Sequence, residues 1–199
     1  HLIHDKRIDW TRINAFHMDE YIGIHPDAPQ SFGHFLRIRI FDKVPFKKVN
    51  YLNGRAESLE EECKRYADLL TKYPVDIVCL GIGENGHIAF NEPGSSLSSR
   101  TRQKTLTTDT IIANSRFFDN DINKVPKTAL TVGVGTVLSA KEVMIIVNGH
   151  NKARALYHAV EGAITQMWTI SALQMHEKGI IVCDDAATVE LKAVSYTHL

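Results

Sequence analysis

The sequence has no surplus of charge in either direction: 23 Lys and Arg balance 23 Asp and Glu over 199 residues. That excludes a nucleic-acid partner from the reading, because gripping a phosphate backbone takes an excess of cations to displace its counterions. Cysteine is scarce as well. Cys63, Cys79 and Cys183 are widely spaced and form no Cys-x-x-Cys pair, so neither a disulfide framework nor a thiolate zinc site is expected. Buried, reduced thiols in a cytoplasmic protein are the plain expectation. No apolar run approaches the roughly 18 residues of a membrane span, and no signal-peptide pattern opens the chain, so no membrane partner is expected. Repeats, low-complexity tracts and linkers are missing too, which makes residues 1–192 a single domain. The chain begins at His1 without a Met, and Ser195-Tyr-Thr-His-Leu199 continues nothing before it, so residues 193–199 read as a non-native tail.

What is present is a core: 44% of residues are hydrophobic and 23% charged, as in a globular protein of ordinary size. Short apolar strands recur, each running straight into polar residues. Arg12–Phe16 leads to His17-Met18-Asp19-Glu20, and Val75–Leu80 to Gly81-Ile-Gly83-Glu-Asn85-Gly86-His87. Val143–Val147 leads to Asn148-Gly149-His150-Asn151-Lys152, and Ile180–Cys183 to Asp184-Asp185. Nearly continuous apolar strands suit a parallel sheet covered on both faces. Helices fall between them. Ser58-Leu-Glu-Glu61 reads as a capping box, followed by Leu59, Cys63, Tyr66 and Leu70 at helical spacing, and a second helix is expected from about Asn151 to Glu161. The fold class is therefore α/β: a Rossmann-like open, mostly parallel sheet with helices on both faces. Ligands in such sheets bind outside the carboxyl ends of the strands. This collects Asp19, His87 and Lys152 on one rim. The stretch from Pro93 to Pro126 reads as a long loop.

Gly81-Ile-Gly83-Glu-Asn-Gly86 is a literal G-x-G-x-x-G after a strand. A dinucleotide site would need the loop to open a helix, and Pro93-Gly94 would break one, so that reading is rejected. The glycines instead allow backbone N–H groups to approach an oxygen-rich small molecule, while the loop brings Asn85, His87 and Glu92 to the rim. His87 and Glu92 have no third metal ligand at regular spacing, and no HExxH helix exists. No metal or organic cofactor is expected. A carboxylate that fixes one ring nitrogen leaves the other free to carry protons, and Asp19 offers a second base, a pairing that suits aldose–ketose isomerisation. Lys152 at an expected helix start and Arg116 in the long loop would fit a phosphate ester, or would be ordinary solvated charges.

Phe16-His-Met-Asp-Glu-Tyr-Ile-Gly23 resembles the first catalytic motif of the glucosamine-6-phosphate deaminases, and Leu80–Pro93 resembles that family's signature segment. Ser99–Arg102, Ala113–Asp119, Ala129–Gly135 and Met167–Ser171 are similar to it too, in the family's order, and the likeness runs from about Ile8 to Lys192. The resemblance implies that Asp19 moves a proton between C1 and C2. It implies that His87, oriented by Asn85 and Glu92, opens the pyranose ring, and that Arg116 and Lys152 hold the 6-phosphate of an amino-sugar phosphate. It implies a cofactor-free conversion of glucosamine 6-phosphate to fructose 6-phosphate and ammonia, and a homo-oligomer, a hexamer in larger members. Activation by N-acetylglucosamine 6-phosphate would run through Ser95, Arg102 and Lys104.

The resemblance also sets out departures. The family's N-terminal strand and Gly-Ser/Thr-Pro phosphate loop would lie before His1, and the family's C-terminal segment beyond Lys192 is replaced. Where this chain has Asn85 some relatives carry Asp. An amide can accept a hydrogen bond from imidazole but brings no charge to it. Two other functions fit part of the pattern. A 6-phosphogluconolactonase-like hydrolase would not need Met18-Asp19-Glu20-Tyr21, and a non-catalytic sugar-phosphate sensor domain would not need Asp19, His87 and Glu92 together.

Overall fold

A computed structural model describes residues 2–192, so the tail expected at 193–199 lies outside the described residues. Along the chain the elements are β1 (Asn14–Phe16), β2 (Asp19–Tyr21), α1 (Phe32–Leu36), β3 (Lys48–Asn50), α2 (Leu59–Lys72), β4 (Ile77–Leu80) and β5 (Arg102–Thr105). Then come α3 (Thr108–Asn114), β6 (Thr128–Thr131), α4 (Val134–Leu138), β7 (Glu142–Val147), α5 (Ala153–Val160) and β8 (Gly179–Cys183). The expected α/β class holds. The elements fall into two compact units, residues 1–66 with 102–131, and residues 67–101 with 132 onward.

The second unit carries the parallel sheet, in the order β4-β7-β8. Its register sets Leu80 beside Ile145 and Ile145 beside Ile181. Alternation along the strands gives this sheet two unlike faces. Leu80, Val143, Ile145 and Val147 are buried, as are Ala155, Leu156 and Ala159 of the expected helix α5. At the alternate positions Ile77, Ile146, Ile180 and Val182 are exposed, and so is Cys79. The thiols therefore divide: Cys63 is buried as expected, while Cys79 and Cys183 are exposed, because they stand on the open side and at the end of strands whose other face is packed. All three are free. No helix among the described residues is long and apolar enough to cross a membrane.

The first unit holds a short parallel pair, β1-β3, and an antiparallel sheet in the order β2-β6-β5. The antiparallel sheet departs from expectation twice. Asp19 follows β1, as expected, but also begins a strand of its own, paired across the sheet with Thr131, which pairs in turn with Arg102. Residues 93–126 are not one loop either, because β5 and α3 lie inside them. The reason is chemical. Arg-Gln-Lys-Thr has no apolar residue to show a period of two, and it becomes a strand because β6, whose Ala129, Leu130 and Thr131 are fully buried, supplies its partners.

Helix α2 begins as its sequence dictates. Ser58 Oγ accepts a hydrogen bond from the backbone N–H of Glu61 at 3.2 Å. Cys63 and Tyr66 are buried, and the Tyr66 hydroxyl donates to the carbonyl of His17 at 2.6 Å, tying the helix to the turn between β1 and β2. Replacing Ser58 by Ala should cost about 1 kcal/mol of stability. Urea unfolding should show this as a lower midpoint at an unchanged slope.

Candidate active site

The loop after β4 is folded around the ring of His87. Gly83 donates its N–H to the carbonyl of His87 at 2.8 Å, and Gly86 donates to Gly83 O at 3.0 Å. A Cβ at Gly83 would overlap the imidazole, so only glycine lets the ring lie on this backbone. Gly86 has φ 76°, and a Cβ there would strike the indole of Trp168. No helix intervenes between β4 and β5, so the loop does not open the helix that a dinucleotide fingerprint requires.

Three side chains in this loop form a relay with assignable polarity. Asn85 Nδ2 donates to Glu92 Oε2 at 3.2 Å, which turns Asn85 Oδ1 toward His87 Nδ1, 2.7 Å away. An amide oxygen only accepts, so Nδ1 carries the proton and Nε2 is the nitrogen left to exchange one with a ligand. Glu92 Oε2 also lies 3.5 Å from Nδ1, with the Glu92 side chain 3% exposed and His87 22% exposed. The carboxylate is thus shielded while the ring edge remains reachable.

The loop is sutured to the segment 165–171. Thr169 Oγ1 donates to Asn91 O at 2.9 Å and accepts from Ile88 N at 3.3 Å, while Ile170 N donates to Gly86 O at 3.0 Å. Asn91 Nδ2 donates to the carbonyls of Ile88 and Val132, both at 2.9 Å. These bonds hold Ala89 at φ 49°, a left-handed conformation unusual for a residue with a side chain. Trp168 stacks on His158 with ring centroids 3.9 Å apart. Asn91, Thr169 and Trp168 were not singled out from the sequence, although Asn91 lies in the signature segment and the other two in Met167–Ser171.

Lys152 ends the turn His150–Lys152 that opens α5, after Gly149 at φ 89°. It follows the carboxyl end of β7, next in the sheet to β4, whose carboxyl end carries His87. The rim expected for these two is therefore present. Ser95 is buried, its N–H donating to Glu92 O at 3.0 Å.

Asp19, Arg102, Lys104 and Arg116 belong to the first unit. Arg116 sits not in a loop but in the turn Ser115–Phe117 after α3, exposed, with its guanidinium 4.8 Å from the Phe117 ring centroid. Asp19, Thr131 and Arg102 form one cross-strand row, and Tyr21, Ala129 and Lys104 another. Directly paired residues share a face. Asp19 and Arg102 thus lie on the same side of the sheet, as do Tyr21 and Lys104. Burial in the sheet pushes the Arg102 guanidinium below its usual range.

Burial acts on two titratable groups here with opposite sign. It pushes the Asp19 carboxyl up to about 7, helped by the charge of Glu20, and pushes His17 down to about 4. A raised carboxyl keeps its proton in the folded state while the unfolded chain has lost it, so Asp19 lowers stability as pH rises from about 4 to 7. A depressed histidine does the reverse, and stability is lost as pH falls from 6.5 toward 4.

Polar side chains that follow the carboxyl ends of adjacent parallel strands, as His87 and Lys152 do, stand where α/β proteins bind small ligands. More closely, residues 1–182 match the family model "Glucosamine-6-phosphate isomerases/6-phosphogluconolactonase", and the chain belongs to that family. It is 68% identical over 194 residues to a glucosamine-6-phosphate deaminase of Bacteroides thetaiotaomicron, covering 96% of this chain and 72% of the relative. A Porphyromonas gingivalis glucosamine-6-phosphate deaminase is 56% identical over 194 residues, covering 96% of this chain and 74% of the relative. Among solved structures, a monomeric glucosamine-6-phosphate deaminase superposes with a TM-score of 0.87 at 38% identity, over 92% of this chain and 76% of that one. The 6-phosphogluconolactonase of Trypanosoma brucei gives 0.73 at 18%, over 96% of this chain and 80% of that one, a likeness of fold alone.

Two substitutions test the geometry. Gly83→Ala should displace the His87 ring and disrupt its Nδ1–H bond to Asn85, seen as loss of the protected ring N–H resonance in the proton NMR spectrum. Asp19→Asn should stabilise the fold at pH 8 by on the order of 1 kcal/mol and by nothing at pH 4, where the native carboxyl is already protonated. Thermal unfolding at the two pH values measures the difference.

Proposed function

We propose that this chain carries out the isomerisation and deamination of glucosamine 6-phosphate, yielding fructose 6-phosphate and ammonia. The observation that carries the reading is the Glu92–Asn85–His87 relay, which leaves one imidazole nitrogen free for a single proton at a reachable edge. The 68% identity to a glucosamine-6-phosphate deaminase supports it.

The reaction is redox-neutral, so it asks the protein for proton transfers. His87 Nε2 serves the ring oxygen as the pyranose opens. Asp19, as carboxylate, takes the proton from C2 of the open aldose and returns it to C1, and the resulting C2 imine is hydrolysed by water to ketone and ammonia. A base with its pKa near 7 is half-ionised at neutral pH and still strong enough to abstract. Arg116 and Lys152 hold the 6-phosphate in this reading. Ser95, Arg102 and Lys104 remain candidates for the N-acetylglucosamine 6-phosphate site, and the cytoplasm is the expected compartment. The hexamer is carried forward too. Sedimentation at six times the chain mass supports it and sedimentation at the chain mass overturns it; one relative is described as monomeric. The lactonase alternative has fold likeness behind it at 18% identity and no use for Asp19.

The test is ammonia release from glucosamine 6-phosphate, measured on this chain and on one extended to the length of its relatives. Release by the extended chain, abolished by Asp19→Asn, is expected; no release by the extended chain sinks the reading. In the active form kcat/KM should fall below a pH of about 7, where Asp19 takes up its proton.

A further inference from the structure

Glu20 stands next to Asp19 and faces the other way, because side chains alternate along β2. It is buried at 6% exposure. Its Oε1 accepts from the N–H of Tyr21 at 2.9 Å and of Phe32 at 3.2 Å. Its Oε2 accepts from the Ser31 hydroxyl at 2.6 Å and from the N–H of Gly33 at 3.0 Å. Both oxygens only accept, so the group sits there as a carboxylate. A Cβ at Gly33 would lie 3.2 Å from Oε2, so the glycine allows this close approach.

Sealing the start of α1 needs only a hydroxyl, and Ser31 already provides one to the N–H of His34 at 3.1 Å. A full buried charge beside Ser31 exceeds that need and is costly unless satisfied. What the charge adds is a hold on β2, an edge strand of three residues, and a fixed negative field one residue from Asp19. Among the described residues no Lys or Arg forms an ion pair with it. His17 Nε2 is 4.0 Å from Glu20 Oε2, but burial keeps that ring neutral. Nearby stand the phenols of Tyr21 and Tyr66, both held protonated by burial, and Tyr51, whose ring lies against His17, while Arg102 is two strands from Asp19 in its row.

We infer that Glu20 is a positioning residue for proton transfer by Asp19: it pins β2 to the start of α1 and keeps an uncompensated charge behind the base. The inference rests on Asp19 being that base. Glu20→Gln removes the charge, and Ser31→Ala keeps the charge while loosening its seat. In Glu20→Gln the Asp19 carboxyl, followed by carbon-13 NMR without substrate, should titrate about half a pH unit or more below the parent. The acid limb of kcat/KM should move with it, and Glu20→Asp should restore most of the shift. Ser31→Ala should lower kcat about tenfold at unchanged KM, with the titration unmoved. An unmoved Asp19 titration in folded Glu20→Gln overturns the inference. Should that variant not fold, an unchanged kcat in Ser31→Ala overturns it instead. If the titration moves as expected but no form of the protein releases ammonia, Glu20's hold on Asp19 stands and the deaminase reading falls.

Discussion

A carboxylate buried to 2% exposure must be supplied with donors, and Glu92 organises its loop around that demand. Asn85 turns its amide N–H₂ toward Glu92, and this one choice dictates the rest. With its nitrogen committed, the amide has only an oxygen for His87, so the imidazole must bring a proton on Nδ1 and leave Nε2 open. The ring then needs a surface to lie on, and the backbone of Gly83 is the surface that no other residue could offer. A loop so constrained holds Ala89 in an uncommon conformation, and Asn91 from within and Thr169 from outside bind its carbonyls. The tautomer of His87 and the backbone conformation are thus one structural problem with a common solution.

The elements legible in the sequence were those whose partners are local or whose pattern is apolar. β4, β7, β8 and α5 lie where the apolar runs and the helical spacing put them, and Ser58 caps α2 as its motif predicts. The antiparallel sheet was not legible. β5 is Arg-Gln-Lys-Thr and β2 is Asp-Glu-Tyr, segments that carry no periodic hydrophobicity and become strands because a buried β6 stands between them. Pairing between residues 23 to 29 positions apart in β5 and β6, or 108 to 112 apart in β2 and β6, leaves no trace in either segment alone.

The candidate site was legible to a similar extent. Spacing within one loop sufficed for Asn85, His87 and Glu92, whose hydrogen bonds span at most seven positions. It could not reach Thr169, which meets the same loop from about 80 positions away. The exposed thiols of Cys79 and Cys183 were misjudged for a related reason. An apolar strand reads as buried on both sides and to its end, and the run of residues does not say that Cys79 faces the open side of β4 or that Cys183 falls at the exposed end of β8.

The adjacent acids of Asp19-Glu20 make the same point in electrostatic terms. In sequence they are interchangeable carboxylates. In β2 the alternation of the strand sends Glu20 toward three backbone N–H groups and a hydroxyl, while the Asp19 carboxyl accepts no hydrogen bond among the described residues. Donors surround one group, and burial with the charge of Glu20 beside it drives the other to keep its proton until about neutral pH. Pairs of titratable groups pushed apart by unlike surroundings are how a fold separates a structural charge from a working base. Here the separation takes a single peptide unit, and the group left to titrate near neutral pH is the one the hydrogen bonds pass over.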